Sequence, residues 1–208
     1  DVEEIKKKTE AFVKEELFTL EPWIINVKWE EKLPKLNELR EKVKSKGLWL
    51  PQISKDYGGL GLTNAEHGEV SEILGASPYG HYCFNCQAPD AGNMEILIEF
   101  GTDQQKETYL YPLLKGEIRS CFAMTEPDHA GSNPVKMGTI AKKENGNYVI
   151  NGHKWFTSGF DGSTFAIVML VSDPENVIPH KKASQVIVPT SSKGCLLYTS
   201  DAADDALS

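Results

Sequence analysis

The chain has 208 residues, with 30 acidic side chains against 22 basic ones and a formal net charge of −8. Hydrophobic residues make up 40% and charged residues 25%, and the mean hydropathy is −0.36. This balance disfavours disorder and membrane insertion and suits one or two domains with a real core. The acidic excess argues against a nucleic-acid surface, and no apolar run approaches the roughly 20 residues of a spanning helix.

The first half reads as helical. The chain opens at Asp1, without a methionine, already inside a helical pattern. Ile5, Phe12, Val13 and Leu17 fall near helical spacing, which predicts one helix over 2–20. Pro22 and Pro34 bracket a connection, and Leu33-Pro34-Lys35 starts a second helix that runs to about Lys46, with Gly47 ending it. Residues 48–62 predict a loop. Asn64 is the predicted cap of a third helix over 65–75, with Ala65, Val70, Ile73 and Leu74 on its buried stripe. A further helix from Tyr82 to near Phe100 is interrupted at Ala88-Pro89, and Thr102 or Asp103 caps a helix over 104–115.

From Arg119 the signal changes to strands. Ser120–Met124 is a short apolar strand. Gly138–Lys142 and Tyr148–Ile150 flank a hairpin turn at Glu144–Asn147 that carries Asn-Gly. Asn151-Gly152 predicts another tight turn, Phe165–Val171 a buried strand, and Ser184–Pro189 an alternating one. Helices first and strands after indicate an α+β chain with segregated parts: a helical domain over 1–118 and a strand domain over 119–194. Cys195 to Asp205 breaks the strand–turn pattern and reads as the in-frame translation of a sequencing-library adaptor. Residues 195–208 are therefore expected to be a non-native tail and are set aside. Cys83 and Cys86 form Cys-x-x-Cys, but no second pair or histidine pair completes a zinc set. Cys83, Cys86 and Cys121 read as buried free thiols, and no metal ligands are expected.

Two segments carry the chemistry, Phe122 to Asn133 and Asn151 to Gly159. Each adjoins an apolar run and puts small hydroxyls and backbone amides beside an aromatic side chain. Such hydroxyls and amides bond a ring edge and phosphates, while the aromatic covers a ring face. Pro127, Ala130 and Gly131 make the first segment a loop whose backbone can approach a ligand closely. This is equipment for a flat, polar-edged, phosphate-bearing ring system. Taken singly, Thr125 also reads as a strand-end hydroxyl satisfying a turn amide, Ser132 as a turn residue, and Trp155 as a core aromatic.

Met124-Thr125-Glu126-Pro127 followed by Gly131-Ser132, and then Asn151-Gly152-x-Lys154-Trp155-x-Thr157, resemble the flavin-binding pair of the acyl-CoA dehydrogenases. Upstream, Leu50-Pro51 with Tyr57-Gly58-Gly59-Leu60-Gly61-Leu62 resembles the family's first helix–loop–helix. Gly101-Thr102-Asp103-Gln104-Gln105-Lys106, then Tyr109-Leu110 and Leu113-Leu114-x-Gly116-Glu117, resembles the helix before its flavin loop. Ala88-Pro89-Asp90-x-Gly92-Asn93-Met94-Glu95 and the length of the Thr125–Ser132 loop resemble the long-chain mitochondrial and peroxisomal branch, often fused to a kinase-like domain. The resemblance covers residues 2–194.

The resemblance implies an N-terminal all-helical domain, then an incomplete antiparallel β-barrel, with the family's C-terminal four-helix bundle missing. It implies FAD held by Phe122, Met124, Thr125, Gly131, Ser132, Trp155, Phe156 and Thr157, with Ser132 also meeting the acyl-CoA substrate. Thr125 would donate to the pyrimidine edge, Trp155 would lie against the flavin, and the Thr157 hydroxyl would sit near its reactive nitrogen. The full enzyme would desaturate fatty acyl-CoA at the α,β bond, pass electrons to an electron-transferring flavoprotein, and form a homo-oligomer. Its location would be mitochondrial or peroxisomal in a eukaryote and cytoplasmic otherwise. Asn133 stands where the family has an acid. Glu126 is a tempting base, yet the family's base lies far downstream, so Glu126 is expected to fix the loop or cap a neighbouring group. No catalytic residue is assigned, none to His129 or His153 either, and the fragment is expected to be inactive. An acyl-CoA oxidase fragment, or a non-catalytic module pairing through the amphipathic helix 2–20, remain alternatives.

Overall fold

The computed structural model describes residues 1–131 and 133–198. They divide into two compact units, Asp1–Glu117 and the part from Ile118 onward.

In the helical unit, α1 (Val2–Phe12), a π-helical stretch (Val13–Leu17) and α2 (Phe18–Ile24) form one continuous run. It extends past the predicted end because Pro22 sits inside α2 without stopping it. The Asp1 carboxylate accepts from the Glu3 amide at 3.1 Å, satisfying one of the orphan donors of the first turn. The apolar stripe of this run buries Phe12, Val13 and Leu17 with Leu36, Val43, Leu74 and Phe84. Phe12 meets Phe84 edge-on, with ring centroids 5.4 Å apart. Each such large apolar side chain contributes about 1.5–3 kcal/mol by leaving water.

The second long helix, α3 (Trp29–Ser45), begins at Trp29 rather than Leu33 and carries Pro34 in its interior. Long-range contacts override the proline. Trp29 packs edge-on against Tyr82 with centroids 5.5 Å apart, and the buried Lys32 donates to the Tyr79 hydroxyl at 2.8 Å. Next comes α4 (Asn64–Leu74), capped by Thr63 and not by Asn64. The Thr63 hydroxyl accepts from the Glu66 amide while the Glu66 carboxylate accepts from the Thr63 amide, a reciprocal capping box. The helix predicted from Tyr82 to Phe100 is two, α5 (Gly80–Cys83) and α6 (Asp90–Phe100). Asn85 separates them with φ 55°, and its side-chain amide donates to the carbonyls of Leu113 and Leu114. A last run, α7 (Asp103–Gln105), a π-helical stretch (Lys106–Leu110) and α8 (Tyr111–Lys115), is capped by Thr102 in a second capping box.

The end of α8 is buttressed by a buried cation. Arg40 donates to the carbonyls of Tyr82 (3.0 Å) and Gly116 (3.5 Å) and to the Asn85 side chain (3.3 Å). Its guanidinium lies over Trp49 and Tyr82, and the Trp49 indole donates to Leu114 O at 2.8 Å. A positive charge there complements the helix C-terminus. Cys83, Cys86 and Cys121 are buried and form no disulfide. Burial pushes the Cys83 and Cys86 thiols up to about 12, so they stay protonated and inert.

The second unit is a five-stranded sheet: β1 (Ser120–Ala123), β2 (Ile140–Glu144), β3 (Asn147–Asn151), β4 (Phe165–Val171) and β5 (Ala183–Pro189). Among the described residues it is open. It is also mixed: most of its pairing is antiparallel, as the incomplete antiparallel barrel implied, with parallel pairs beside it. β4 pairs antiparallel with β5 along its whole length, but parallel with β1 (Ser120↔Phe165 to Ala123↔Val168) and with the start of β2 (Ile140↔Val171). The parallel pairing follows from the long connection over 124–164, which has room to return the chain in the same direction. Because β5 fills one edge of β4, β1 and β2 share the other, end to start. The β2–β3 hairpin turns at Asn145-Gly146, both at positive φ (50° and 83°), the backbone an Asn-Gly turn demands. Cys121, Ala123, Ala141, Ala166, Val168 and Leu170 form the sheet's small apolar cluster.

Candidate functional site

Strand alternation sets the first part of the site. Cys121 and Ala123 point into the apolar cluster, so Phe122 stands half-buried on the other face, in register with Ile167. Met124, Thr125 and Glu126 continue out of β1, and Lys154 to Thr157 follow β3.

These two exits are joined by a two-way bond. The Thr125 hydroxyl donates to Trp155 O at 2.7 Å, and the Trp155 amide donates to Thr125 O at 3.1 Å. The hydroxyl hydrogen of Thr125 is thus committed to Trp155, and the hydroxyl presents lone pairs where the resemblance implied a donor. Beyond the bond, two rings stand out from the surface. Trp155 is 42% exposed and Phe156 is 82% exposed, with centroids 4.7 Å apart and planes tilted by 43°. Phe156 holds φ 50°. For an aromatic residue that left-handed conformation costs about 1–2 kcal/mol, with no burial of its ring to offset it. Thr157 is half-buried beside it, its carbonyl accepting from the Phe160 amide. Gly131 is exposed; a Cβ there would meet the Thr125 methyl at 3.4 Å. Ser132, the predicted phosphate and substrate contact, lies outside the described residues. Asn133 turns the chain onward, its side-chain oxygen accepting from the Val135 amide at 3.1 Å.

Behind the Thr125–Trp155 bond lies a buried polar knot. Glu126 is 3% exposed. One carboxylate oxygen accepts from the Gly138 amide (2.5 Å) and faces His129 Nδ1 (3.0 Å). The other accepts from the Thr139 amide (2.9 Å) and Lys154 Nζ (2.8 Å). Burial would raise this carboxyl, but the hydrogen bonds from Lys154, Thr139 and Gly138 outweigh it and hold it down at about 2. A carboxylate so saturated with donors is no proton acceptor near neutral pH, and it acts as the loop-fixing group expected of it. Lys154 donates in addition to Met124 O at 2.7 Å. The knot sits where it does because β1 ends on the same edge of β4 where β2 begins.

The knot crowds two glycines, Gly152 against the fixed Cβ and Cα of Thr139 and Gly138 against the half-exposed His129 ring. A Cβ on Gly138 would fall 2.4 Å from His129 Cε1, and one on Gly152 would fall 2.2 Å from Thr139 Oγ1. A pocket of about 140 Å³ opens beside the knot, lined by Glu126, Asp128, His129, Thr139, Gly152 and His153. His153 is exposed there, as expected. Sequence reasoning placed Lys154 in a motif without giving it a role. It pairs with a residue 28 positions away, and nothing local in the sequence marks that pairing.

Among the described residues there is no cluster of metal-ligating side chains and no helix long and apolar enough to cross a membrane.

A helical unit followed by an open mixed sheet, whose strand exits hold an exposed aromatic pair beside small hydroxyls, defines a two-domain α+β chain. The chain belongs to the acyl-CoA dehydrogenase family: the profile of the family's N-terminal domain matches residues 1–117 and that of its middle domain matches residues 121–203. The second match runs into the segment set aside from the sequence as a tail. Acyl-CoA dehydrogenase family member 10 of Mus musculus is 42% identical over 195 residues, 88% of this chain and 18% of that protein. A solved structure from Mycobacterium abscessus, assigned to the acyl-CoA dehydrogenases, shares 33% identity at a TM-score of 0.86 and covers 93% of this chain and 51% of that one. An acyl-CoA dehydrogenase of Bacillus anthracis, solved in complex with FAD, shares 25% identity at a TM-score of 0.69, covering 93% and 31%. The chain therefore spans about a fifth of the mouse relative and about half of the Mycobacterium abscessus one.

Proposed function

We propose that this chain is the flavin-holding portion of an FAD-dependent acyl-CoA dehydrogenase. The observation that carries the reading is the Thr125–Trp155 two-way bond, which joins the two motif segments and leaves Trp155 and Phe156 bare beside Thr125 and Thr157. These residues fit an isoalloxazine ring: rings to cover its face, hydroxyl lone pairs and a glycine backbone for its polar edge. Bound there, FAD supplies the hydride acceptor for α,β-desaturation of a fatty acyl-CoA. The chain's own residues orient it and keep one face dry. Phe122, Met124, Gly131 and Ser132 complete the set of proposed contacts, with Ser132 also meeting the substrate.

The base that takes the α-proton belongs to a segment outside these 208 residues. Glu126 is saturated by its own bonds, which supports reading the chain alone as inactive. In the whole protein the electrons go to an electron-transferring flavoprotein, the assembly is a homo-oligomer, and the compartment is mitochondrial or peroxisomal if the source is eukaryotic. Leu196 and Tyr198 are 72% and 80% exposed and belong to no strand, which supports reading the segment from Cys195 as foreign to the fold. In the amphipathic run from Val2 the stripe of Phe12, Val13 and Leu17 is covered by the unit's own core, while Phe18 and Trp23 stay exposed.

The test is titration of the chain with FAD, followed by tryptophan quenching and by flavin absorbance retained after gel filtration. Saturable one-to-one binding that weakens on Trp155→Ala supports the reading; no binding by the chain or by the full-length protein overturns it. Reoxidation of the substrate-reduced full-length protein then separates the electron acceptors. Slow reaction with air and fast reaction with an electron-transferring flavoprotein mark the dehydrogenase, and rapid peroxide formation marks an oxidase.

A further inference from the structure

Lys154 and Glu126 lie directly behind the residues that face the proposed flavin, and neither presents itself to that face. Their side chains are 11% and 4% exposed. Each neighbours one partner of the Thr125–Trp155 bond in sequence: Glu126 follows Thr125, and Lys154 precedes Trp155. The ion pair at 2.8 Å therefore runs parallel to that bond and sets the separation of the two segments from behind. Lys154 also holds Met124 O at 2.7 Å, so one ammonium grips both sides of Thr125 in the chain. Glu126 at the same time ties in the start of β2 through the amides of Gly138 and Thr139.

A surface ion pair contributes little and places nothing. This one differs in two respects. It is removed from water, so the loss of either partner leaves a buried charge or buried amides uncompensated. It is also backed by Gly152, where a side chain would collide with Cβ and Cα of Thr139. The segments it joins thus have little freedom to repack around a missing member.

We propose that Glu126 and Lys154 are positioning residues for the flavin: acting from behind through Thr125 and Trp155, they fix the spacing and tilt of the Trp155–Phe156 rings that receive it. The inference rests on the proposed flavin reading and goes beyond it in assigning a function to two residues that do not reach the ring site. It also assigns the pair an electrostatic duty. With both present the wall behind Thr125 is neutral. With Glu126 neutralised a buried ammonium remains, which favours the more negatively charged, reduced form of a flavin bound in front of it.

The experiment uses the full-length protein carrying this chain, as wild type and as Lys154→Met, Glu126→Gln and the double variant. FAD affinity, the visible band of the bound flavin, its reduction potential and the melting temperature of the apoprotein are measured. The wild type binds FAD in the expected outcome. Lys154→Met then weakens FAD about tenfold, and Glu126→Gln binds more weakly than wild type with a shifted flavin band and a raised potential. The double variant is no worse than the poorer single one. Unchanged affinity, band and potential in Glu126→Gln and Lys154→Met, whatever happens to the melting temperature, would show that the pair only supports the fold. Should Lys154→Met fail to fold, Glu126→Gln decides alone, since it keeps the side-chain volume and an acceptor for Lys154. Failure of the wild type to bind FAD strikes the flavin reading itself; a binding wild type with indifferent variants strikes only the positioning role.

Discussion

The two units build their buried interiors from side chains of different size and kind. The helical unit is held by large apolar side chains meeting one another, such as Phe12, Leu36, Leu74 and Phe84, with Arg40 as its main buried cation. The sheet unit has an apolar cluster built from small residues, Cys121, Ala123, Ala141 and Ala166, and it relies on a buried ion pair to join its loops. Phe165 is buried, whereas Trp155 and Phe156 stay outside. Hydrophobic burial is non-directional and tolerates displacement, whereas a saturated carboxylate fixes position through several directed bonds at once. The helical unit is built mainly the first way. A unit that must present ring and hydroxyl groups at set spacing needs the second.

The largest expected effect lies in the helical core. Phe84→Ala removes a fully buried ring that meets Phe12 at 5.4 Å and should cost about 3–5 kcal/mol in denaturant unfolding. A loss under about 1 kcal/mol would mean that this core is loosely packed and that the contrast between the units is overdrawn.

Next in size is the acid limb of the sheet unit. The Glu126 carboxyl is held at about 2 against an ordinary value of 4.5. A depressed folded-state value contributes stability that is fully present above the unfolded value and is lost as pH falls toward the folded one. Stability should therefore decline between about pH 4.5 and pH 2, by up to roughly 3 kcal/mol from this group. Glu126→Gln should lower stability at neutral pH and flatten that limb. An acid limb of the same depth in the variant would place the titrating group elsewhere.

The helix caps come third. Thr63→Ala removes the hydroxyl of the α4 capping box and should lower stability by about 1 kcal/mol, read as a drop in melting temperature. Asn64→Ala should do much less, because the cap is one residue earlier than the sequence alone suggested.

That shift by one residue is typical of how the chain was legible. Periodicity located the helical runs, and Asn145-Gly146 located the hairpin, because both signals are local. The start of α3 was missed because it depends on Trp29–Tyr82 and Lys32–Tyr79, contacts between segments far apart in sequence. Parallel pairing of β1 with β4 was missed for the same reason. At the site, the motif residues Thr125 and Trp155 do meet, whereas the direction of the Thr125 hydrogen bond could only come from three dimensions. Lys154 was hidden by chemistry as well as distance: an isolated lysine in a polar loop reads as solvated until its carboxylate is found.

The smallest effect on stability is also the sharpest separation of scaffold from site. Phe156 is 82% exposed and holds φ 50°. Replacing it with glycine removes a left-handed strain of about 1–2 kcal/mol and adds about 0.5–1 kcal/mol of chain entropy to the unfolded state. Little ring burial is lost, so the net change in stability should be between zero and about +1 kcal/mol. Binding should move the other way. An aromatic platform contributes about 0.5–1.5 kcal/mol beyond area burial, so Phe156→Gly should weaken FAD about three- to tenfold. A stability gain paired with an affinity loss would show strain retained for the sake of the ligand. If affinity holds while stability falls by 2 kcal/mol or more, the ring belongs to the fold and the bare aromatic pair does not mark the flavin wall.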